Sequence, residues 1–339
     1  MQIHHHFSLR SYNSFGIDVE ARSFADFHTT EDLTELVTEQ LHPGKDQLLI
    51  LGGGSNMLFT KNFDGWVLHN RIKGIELLRE DENHFYVKAG AGENWHGFVQ
   101  YCIAHNYAGA ENLSLIPGKV GASPIQNIGA YGVEIRDIFQ ELEAFDLFEK
   151  RGRTFQLADC DFGYRDSVFK KSAKSRYVIL NVTYRLNKKP DFHTGYGAIV
   201  QELERMCVQE LSIRAVSEAV MHIRSSKLPD PKQTGNAGSF FKNPVISTSQ
   251  YTALSNQYPG ISGYAAGEGF TKLAAGWLIE QCGWKGYRKG DAGCYPEQAL
   301  VLVNYGKASG KEILDLSRSI IDSVQEKFGI QLEREVNIV

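Results

Sequence analysis

Apolar residues recur at helical spacing in several separate stretches of the chain. Leu33, Leu36, Val37 and Leu41 form one stripe, with Thr29 or Thr30 placed to cap it. Trp95, Phe98, Val99, Cys102 and Ile103 form a second, and Ala215, Val216, Ala219, Val220 and Ile223 a third. The pattern predicts another helix over Thr271–Cys282, stopped by Gly283, and a last one from about Lys311 to Phe328, stopped by Gly329. Between them lie short β-branched or apolar runs that read as strands: Gln47–Leu51, Gly65–Leu68, His84–Ala89, Tyr177–Leu186 and Ala299–Val303. Helices and strands mix without a regular βαβ alternation, which favours an α+β layout over one doubly wound sheet. No repeat or low-complexity tract interrupts the pattern. The clearest boundary is Leu228-Pro229-Asp230-Pro231-Lys232, where two prolines disfavour helix.

Composition narrows the functional classes. The 339 residues are 42% hydrophobic and 22% charged with a net charge of −4, an ordinary globular balance. A weakly acidic chain is not built for nucleic acid, whose phosphates select basic faces. No apolar run approaches the ~20 residues of a membrane span, so no membrane partner is expected. Met1-Gln2-Ile3-His4-His5-His6 lacks the apolar core of a secretory signal, and its histidines read as a solvated terminus. Cys102, Cys160, Cys207, Cys282 and Cys294 are odd in number and widely spaced, so no metal site is expected and buried free thiols in a reducing cytoplasm are the simplest reading.

Two glycine-rich segments carry candidate chemistry. Gly52-Gly53-Gly54-Ser55-Asn56 directly follows the Gln47–Leu51 strand. Glycines at a strand end let main chain approach a ligand, and successive N–H groups can form a nest for an anion such as a pyrophosphate. A tight loop with no ligand fits the same residues. It is not the Rossmann fingerprint, because Met57 stands where the third glycine would be; Gly90-Ala91-Gly92 fails likewise at Trp95. The second segment, Pro117-Gly118-Lys119-Val120-Gly121-Ala122-Ser123-Pro124-Ile125-Gln126-Asn127-Ile128-Gly129-Ala130-Tyr131-Gly132, mixes small and hydrogen-bonding residues with little charge. Such a stretch suits close contact with a large flat ligand.

Together these segments resemble the FAD-binding domain of the vanillyl-alcohol-oxidase (PCMH-type) superfamily. Within it the chain resembles the UDP-N-acetylenolpyruvoylglucosamine reductases. Further matching segments follow in family order: Asn13–Gly16, Phe162–Ser167, Ser226–Pro231, Gly235–Pro244, Gln298–Asn304 and Leu332–Val336. Each alone is weak, whereas the ordered set is specific and spans nearly the whole chain. The resemblance implies a cytoplasmic, monomeric enzyme with FAD as cofactor and NADPH as hydride donor. Its implied substrate is UDP-N-acetylglucosamine enolpyruvate, reduced to UDP-N-acetylmuramate for peptidoglycan. It also implies two FAD-binding subdomains, residues 1–70 with 329–339 and residues 71–228, and a C-terminal α+β substrate-binding domain, residues 229–328.

Site residues carry over by position. FAD is expected at Gly52, Gly53, Gly54, Ser55 and Asn56, and at Pro117, Gly118, Gly121, Ser123, Gln126, Asn127 and Gly129. The resemblance makes Ser239 the proton donor and pairs Arg165 with Glu335 on the enolpyruvyl carboxylate. It places Tyr164, Lys227, Asn243 and Gln298 at the UDP-sugar, with Tyr196 closing over it in the subtype that carries the Thr194–Gly197 insertion. Taken alone, Ser239 is a turn serine, Arg165 and Lys227 read as surface or helix-end cations, and Glu335 is no better than Glu333. Cys294-Tyr295-Pro296 departs from the commoner small-aliphatic-then-histidine pattern, which bears on fine contacts rather than on the reaction. The chain also stops three residues after Val336, so no longer tail is expected. Two rival functions fit parts of the pattern: a superfamily oxidase using oxygen as acceptor, and a non-catalytic FAD or UDP-sugar binder.

Overall fold

An eleven-residue strand, Tyr177–Asn187, lies at the centre of a five-stranded antiparallel sheet in the computed structural model, which describes residues 2–196 and 198–339. Gly197 of the predicted tyrosine loop lies outside the described residues. The chain divides into two units. The first holds Met1–Phe7, Ala21–Gly53 and Asp64–Ser226; the second holds Ser8–Glu20, Gly54–Phe63 and Lys227–Val339.

In the first unit, Tyr177–Asn187 pairs with Phe139–Asp146 on one side and His84–Gly90 on the other, with Val182 opposite Leu142 and Ala89. Arg151–Gln156 and Ile75–Glu80 form the edges. Their exposed charges discourage a further strand from adding there. The Trp95–Ala104 helix covers this sheet, capped by the Asn94 side chain, which accepts from Gly97 N–H. Trp95, Phe98 and Cys102 are fully buried, and the Phe98 and Tyr184 rings lie 4.6 Å apart. Each such side chain contributes roughly 1.5–3 kcal/mol of burial.

A second sheet of the same unit has the order Ile3–Ser8, Glu20–Phe27, Phe63–Asn70, Leu48–Leu51. Leu48–Leu51 runs parallel to Phe63–Asn70, Leu51 facing His69. Leu33, Leu36, Val37 and Leu41 pack on it as expected, but only Thr30–Glu35 is α-helical. Over Leu36–Gln40 the turns widen, and Leu41 N–H reaches back five residues to the Leu36 carbonyl. The amino-terminal histidines belong to an ordered, paired strand, with His5 and His6 exposed as the expected solvated terminus implies and His4 half-buried. They lie in the Ile3–Ser8 strand, whose main chain pairs with Glu20–Phe27, and His5 Nδ1 is 3.3 Å from Ser23 Oγ. Cys207 is no buried thiol: it is exposed in the turn after the Ile199–Arg205 helix, at φ 54°.

The second unit is built on a sheet ordered Gly235–Ser239, Val301–Asn304, Ala292–Cys294, Arg288–Lys289. The Gly310–Phe328 helix buries Ile313, Leu316, Ile320, Val324 and Phe328, the stripe expected from the sequence. A reciprocal capping box between Ser309 and Glu312 starts it and Gly329, at φ 67°, ends it. The helix predicted over Thr271–Cys282 is only half right. Phe270–Leu273 is the central strand of a three-stranded sheet, paired with Val245–Ser247 and Gly263–Ala265, and the helix is confined to Ala275–Gln281. Two flanking strands that satisfy the main chain of Thr271 and Lys272 outweigh the helical periodicity. Asn337–Ile338 pairs in parallel with Met57–Leu58, and Val339 O accepts from Thr60 N–H at 2.8 Å.

Gly310 opens its helix against the Phe59 carbonyl, where a Cβ would collide. Gly310→Ala is therefore expected to destabilise the protein by about 2 kcal/mol, more than its gain in helix propensity of up to ~1 kcal/mol. Ser309→Ala, which removes a cap, is expected to cost about 1 kcal/mol. Urea unfolding midpoints check both, and an unmoved midpoint for Gly310→Ala would show that the Phe59 main chain yields freely.

Candidate functional site

In the first unit the two glycine-rich segments meet through main chain. A Cβ on Gly53 would stand 3.0 Å from the Gly118 Cα, and one on Gly52 would meet the Lys119 stem at 3.4 Å. Gly121 is pressed onto Ala91, where a Cβ would come within 2.6 Å of the Ala91 methyl. Main-chain bonds hold the approach: Gly121 N–H donates to Ala91 O at 2.9 Å and Val120 N–H to Glu93 O at 3.0 Å. Pro117 is exposed and Gln126 half-buried.

Ser123 and Asn127 turn inward. Ser123 Oγ lies 2.8 Å from the Tyr184 hydroxyl, both buried, and burial drives the Tyr184 pKa far above that of an ordinary phenol, so the pair stays neutral. Asn127 adopts a left-handed backbone, φ 45°, and its amide donates to Glu134 Oε2 at 2.9 Å and Gly163 O at 3.0 Å. Arg136 N–H donates to Asn127 Oδ1 at 3.0 Å. Asn127 thus clasps the Pro117–Gly132 segment to the turn that carries Arg165.

That turn is tight. Gly163 and Asp166 face each other as a single bridge, and Arg165 between them sits at φ 53°. A left-handed residue other than glycine costs about 1–2 kcal/mol, so the surroundings must hold it there. The guanidinium donates to Gly129 O, lies 3.8 Å from Glu134 Oε1, and rests 5.3 Å from the Tyr164 ring centre. Gly129, Tyr164 and Arg165, selected separately from the sequence, are therefore neighbours. Tyr196 is half exposed, its ring perpendicular to Tyr131 at 6.4 Å. Asn112, missed in the sequence, ties this corner by donating to Tyr131 O and His193 O at 2.9 and 2.8 Å. Arg224, also missed, lies on the Ile213–Lys227 helix and donates to Leu115 O. Desolvation lowers its pKa, with Tyr131 opposing. Its place four residues after buried Val220 was the available signal.

The second unit brings the main chain of Glu335 to Phe240, the residue after Ser239. Ser239 ends the Gly235–Ser239 strand and is exposed, while Phe240 and Phe241 behind it are buried. The strand pairs Asn236 with Val303 and Ser239 with Val301, so a bulge lies between, with Gly238 at φ 69°. Bulges re-aim the next side chain, here Ser239. Glu335 N–H donates to Phe240 O at 2.9 Å, and Lys242 N–H to Glu333 O at 2.8 Å. Glu333 itself is an exposed carboxylate, 2.6 Å from Lys242 Nζ. Asn56 Nδ2 approaches Glu335 O at 3.4 Å. Ser55 and Asn56 are half-buried, and Gly54, at φ 58°, is packed where a Cβ would strike the Tyr12 carbonyl.

Three predicted sugar-binding residues also fall in this unit. Asn243 Oδ1 accepts from Ala275 N–H at 3.0 Å, the first residue of its helix, and Gln298 Oε1 accepts from Leu300 N–H at 3.3 Å. Lys227 is exposed at the last position of the Ile213–Lys227 helix. Cys294, part of the departure at Cys294-Tyr295, is buried with Sγ 3.1 Å from Ala299 O; burial pushes its thiol up to about 12, so it stays neutral.

Removing the Asn127 clasp should act on stability and on Arg165 together. Asn127→Ala deletes three hydrogen bonds and is expected to cost about 2–3 kcal/mol in urea unfolding. It should also lower kcat more than Asn112→Ala. Equal stability of Asn127→Ala and the parent would show that the clasp is dispensable.

Comparison with known proteins supplies the lineage. Residues 230–339 match the family model described as UDP-N-acetylenolpyruvoylglucosamine reductase, C-terminal domain, and residues 23–157 match an FAD binding domain. The UDP-N-acetylenolpyruvoylglucosamine reductase of Amoebophilus asiaticus is 51% identical over the full length of both chains. That of Flavobacterium johnsoniae is 47% identical over the full length of both, and that of Chromobacterium violaceum 50% identical over 96% of each. The crystal structure of the Thermus caldophilus enzyme superposes with a TM-score of 0.67 at 24% identity, covering 99% of this chain and 98% of that one, which establishes the shared fold. With full-length identity near one half to several such enzymes, the chain belongs to the UDP-N-acetylenolpyruvoylglucosamine reductase family.

Proposed function

We propose that this chain uses FAD and NADPH to reduce the enolpyruvyl ether of UDP-N-acetylglucosamine enolpyruvate to UDP-N-acetylmuramate, a precursor of peptidoglycan. The observation that supports the reading is the main-chain bond from Glu335 N–H to Phe240 O, which brings the carboxyl-terminal segment that carries Glu335 alongside the residue that follows exposed Ser239. Membership of the reductase family supplies the substrate class, and the FAD binding domain at 23–157 supplies the cofactor.

The residues present fit FAD. Gly53 meets Gly118 main chain to main chain and Gly52 lies under the Lys119 stem, and successive main-chain N–H groups in such loops can hold a diphosphate. Gly54, Ser55 and Asn56 would extend that contact, with Pro117, Gly121, Gln126 and Gly129 along the second segment; Ser123 and Asn127 would support it from behind. When bound, FAD supplies hydride transfer, which no side chain performs. The protein supplies the rest. Ser239 Oγ donates the proton to the substrate carbon that becomes carbanionic, and solvent restores it. Arg165 offers its fork, and Glu335 its carboxyl group, to the substrate carboxylate on which charge gathers. Tyr164, Lys227, Asn243 and Gln298 orient the UDP-sugar, and Tyr196 closes over it.

The FAD-binding subdomains are residues 1–70 with 329–339 and residues 71–228, and the substrate domain is 229–328; the pairing of Asn337–Ile338 with Met57–Leu58 supports the carboxyl-terminal return. Among the described residues no helix is long and apolar enough to cross a membrane. The enzyme works as a cytoplasmic monomer.

Ser239→Ala separates the half-reactions. In anaerobic mixing, NADPH is expected to bleach the flavin of the variant within about twofold of the parental rate. Recovery of absorbance on adding the enolpyruvyl sugar should slow by roughly 10²–10⁴, the usual worth of general acid catalysis. Parental recovery rates would remove Ser239 from its role. Recovery with oxygen but not with the sugar would instead favour an oxidase.

A further inference from the structure

The first unit gathers cations beside Gly52 and Gly53. Arg71 and Lys73 follow the Phe63–Asn70 strand, and Lys119 follows Gly118 with its stem along Gly52. The nearby carboxylates are already committed. Asp26 lies 2.7 Å from His69 and 3.5 Å from Arg71; Glu93 lies 3.1 Å from Lys73 and accepts from Gly74 N–H at 2.9 Å. The side chain of Lys119, a half-buried residue, makes no hydrogen bond or ion pair among the described residues; its main chain bridges to Asn94 and accepts from Ala122 N–H.

We propose that Lys119 is a specificity-determining residue for the cofactor: its ammonium pairs with a phosphate of a flavin dinucleotide laid against Gly52, Gly53 and Gly118. This rests on the assignment of FAD to those loops. Main-chain N–H groups can bind an anion, but their partial charges do not match a full positive charge held next to it. Burial, with Lys73 and then Arg71, lowers the Lys119 pKa against the opposing pull of Glu93. A phosphate beside the Lys119 ammonium relieves that load. The unit would thus distinguish FAD from a flavin without phosphate.

The test uses the full chain stripped of flavin and titrated separately with FAD and with riboflavin, which carries the ring system but no phosphate, by flavin fluorescence. Lys119→Met keeps the stem over Gly52 and removes the charge; Lys119→Arg keeps the charge. Lys119→Met is expected to raise the Kd for FAD on the order of tenfold, a charged hydrogen bond's worth, and leave that for riboflavin unchanged. Lys119→Arg should restore most of the difference. An unchanged Kd for FAD, or equal losses for FAD and riboflavin, overturns the proposal. Gly53→Val, which fills the space toward Gly118, tests the underlying assignment. If it binds FAD like the parent, FAD does not lie on these loops and both readings fall. If it loses FAD while Lys119→Met does not, only the role of Lys119 falls.

Discussion

Main chain pressed against main chain, with no room for a Cβ between, is the constraint on which the arrangement depends. In the first unit Gly121 lies on Ala91 and Gly53 on Gly118. In the second, Gly54 lies on Tyr12, Gly235 on Phe15 and Gly310 on Phe59. Each contact brings a loop closer than side chains would allow, and each stands a few residues from a candidate site group. Gly235 starts the strand that ends in Ser239, so the packing of Gly235 on Phe15 fixes where that strand begins. Asn304 Nδ2 donating to Phe15 O at 2.9 Å, and Ser14 Oγ donating to Asn236 O at 2.6 Å, hold the same junction.

Such close loops cannot satisfy their own polar groups, and buried amide side chains do it for them. Asn13 donates to Leu9 O and Ile17 O and accepts from Ile17 N–H. Asn236 donates to Pro229 O and Thr234 O and accepts from Gly238 N–H, spanning the bulge before Ser239. Asn127 and Asn112 do the same in the first unit. Asparagine suits the task because one short side chain offers both donor and acceptor.

Legibility follows from whether a signal is local. The Gly310–Phe328 helix carries its stripe, capping box and terminal glycine within one segment, and was read to within a residue. Thr271–Leu273 was read as the start of a helix because the strand partners, Val245–Ser247 and Gly263–Ala265, are weak segments that show no pattern of their own. The edge strand Arg151–Gln156 has one buried residue, Phe155, and no alternation to detect. The glycine loops stand out as glycines clustered after a strand, a pattern that a tight loop with no ligand fits as well. Nothing in the sequence sets Lys119 apart; that Asp26 pairs with His69 and Glu93 with Lys73 is visible only in the fold. Glu333 and Glu335 were indistinguishable by spacing; in the fold Glu333 pairs with Lys242.

The groups assigned to chemistry stand on irregular backbone, and regular elements hold that backbone in place. Arg165 is left-handed at φ 53°, and Ser239 follows Gly238 at φ 69°. Neither conformation is favourable for its own sake. The first is stabilised by Asn127, anchored beside the Ile135–Ile138 turn, and the second by pairing with Val301–Asn304 and the carboxyl-terminal segment. A helix or strand fixes side-chain direction by its period; a bulge or left-handed turn breaks the period and can aim one residue alone. The cost, about 1–2 kcal/mol for Arg165, is offset by hydrogen bonds that serve no chemistry. On the proposed reading, residues such as Asn127 and Asn236 act on catalysis only through that aim.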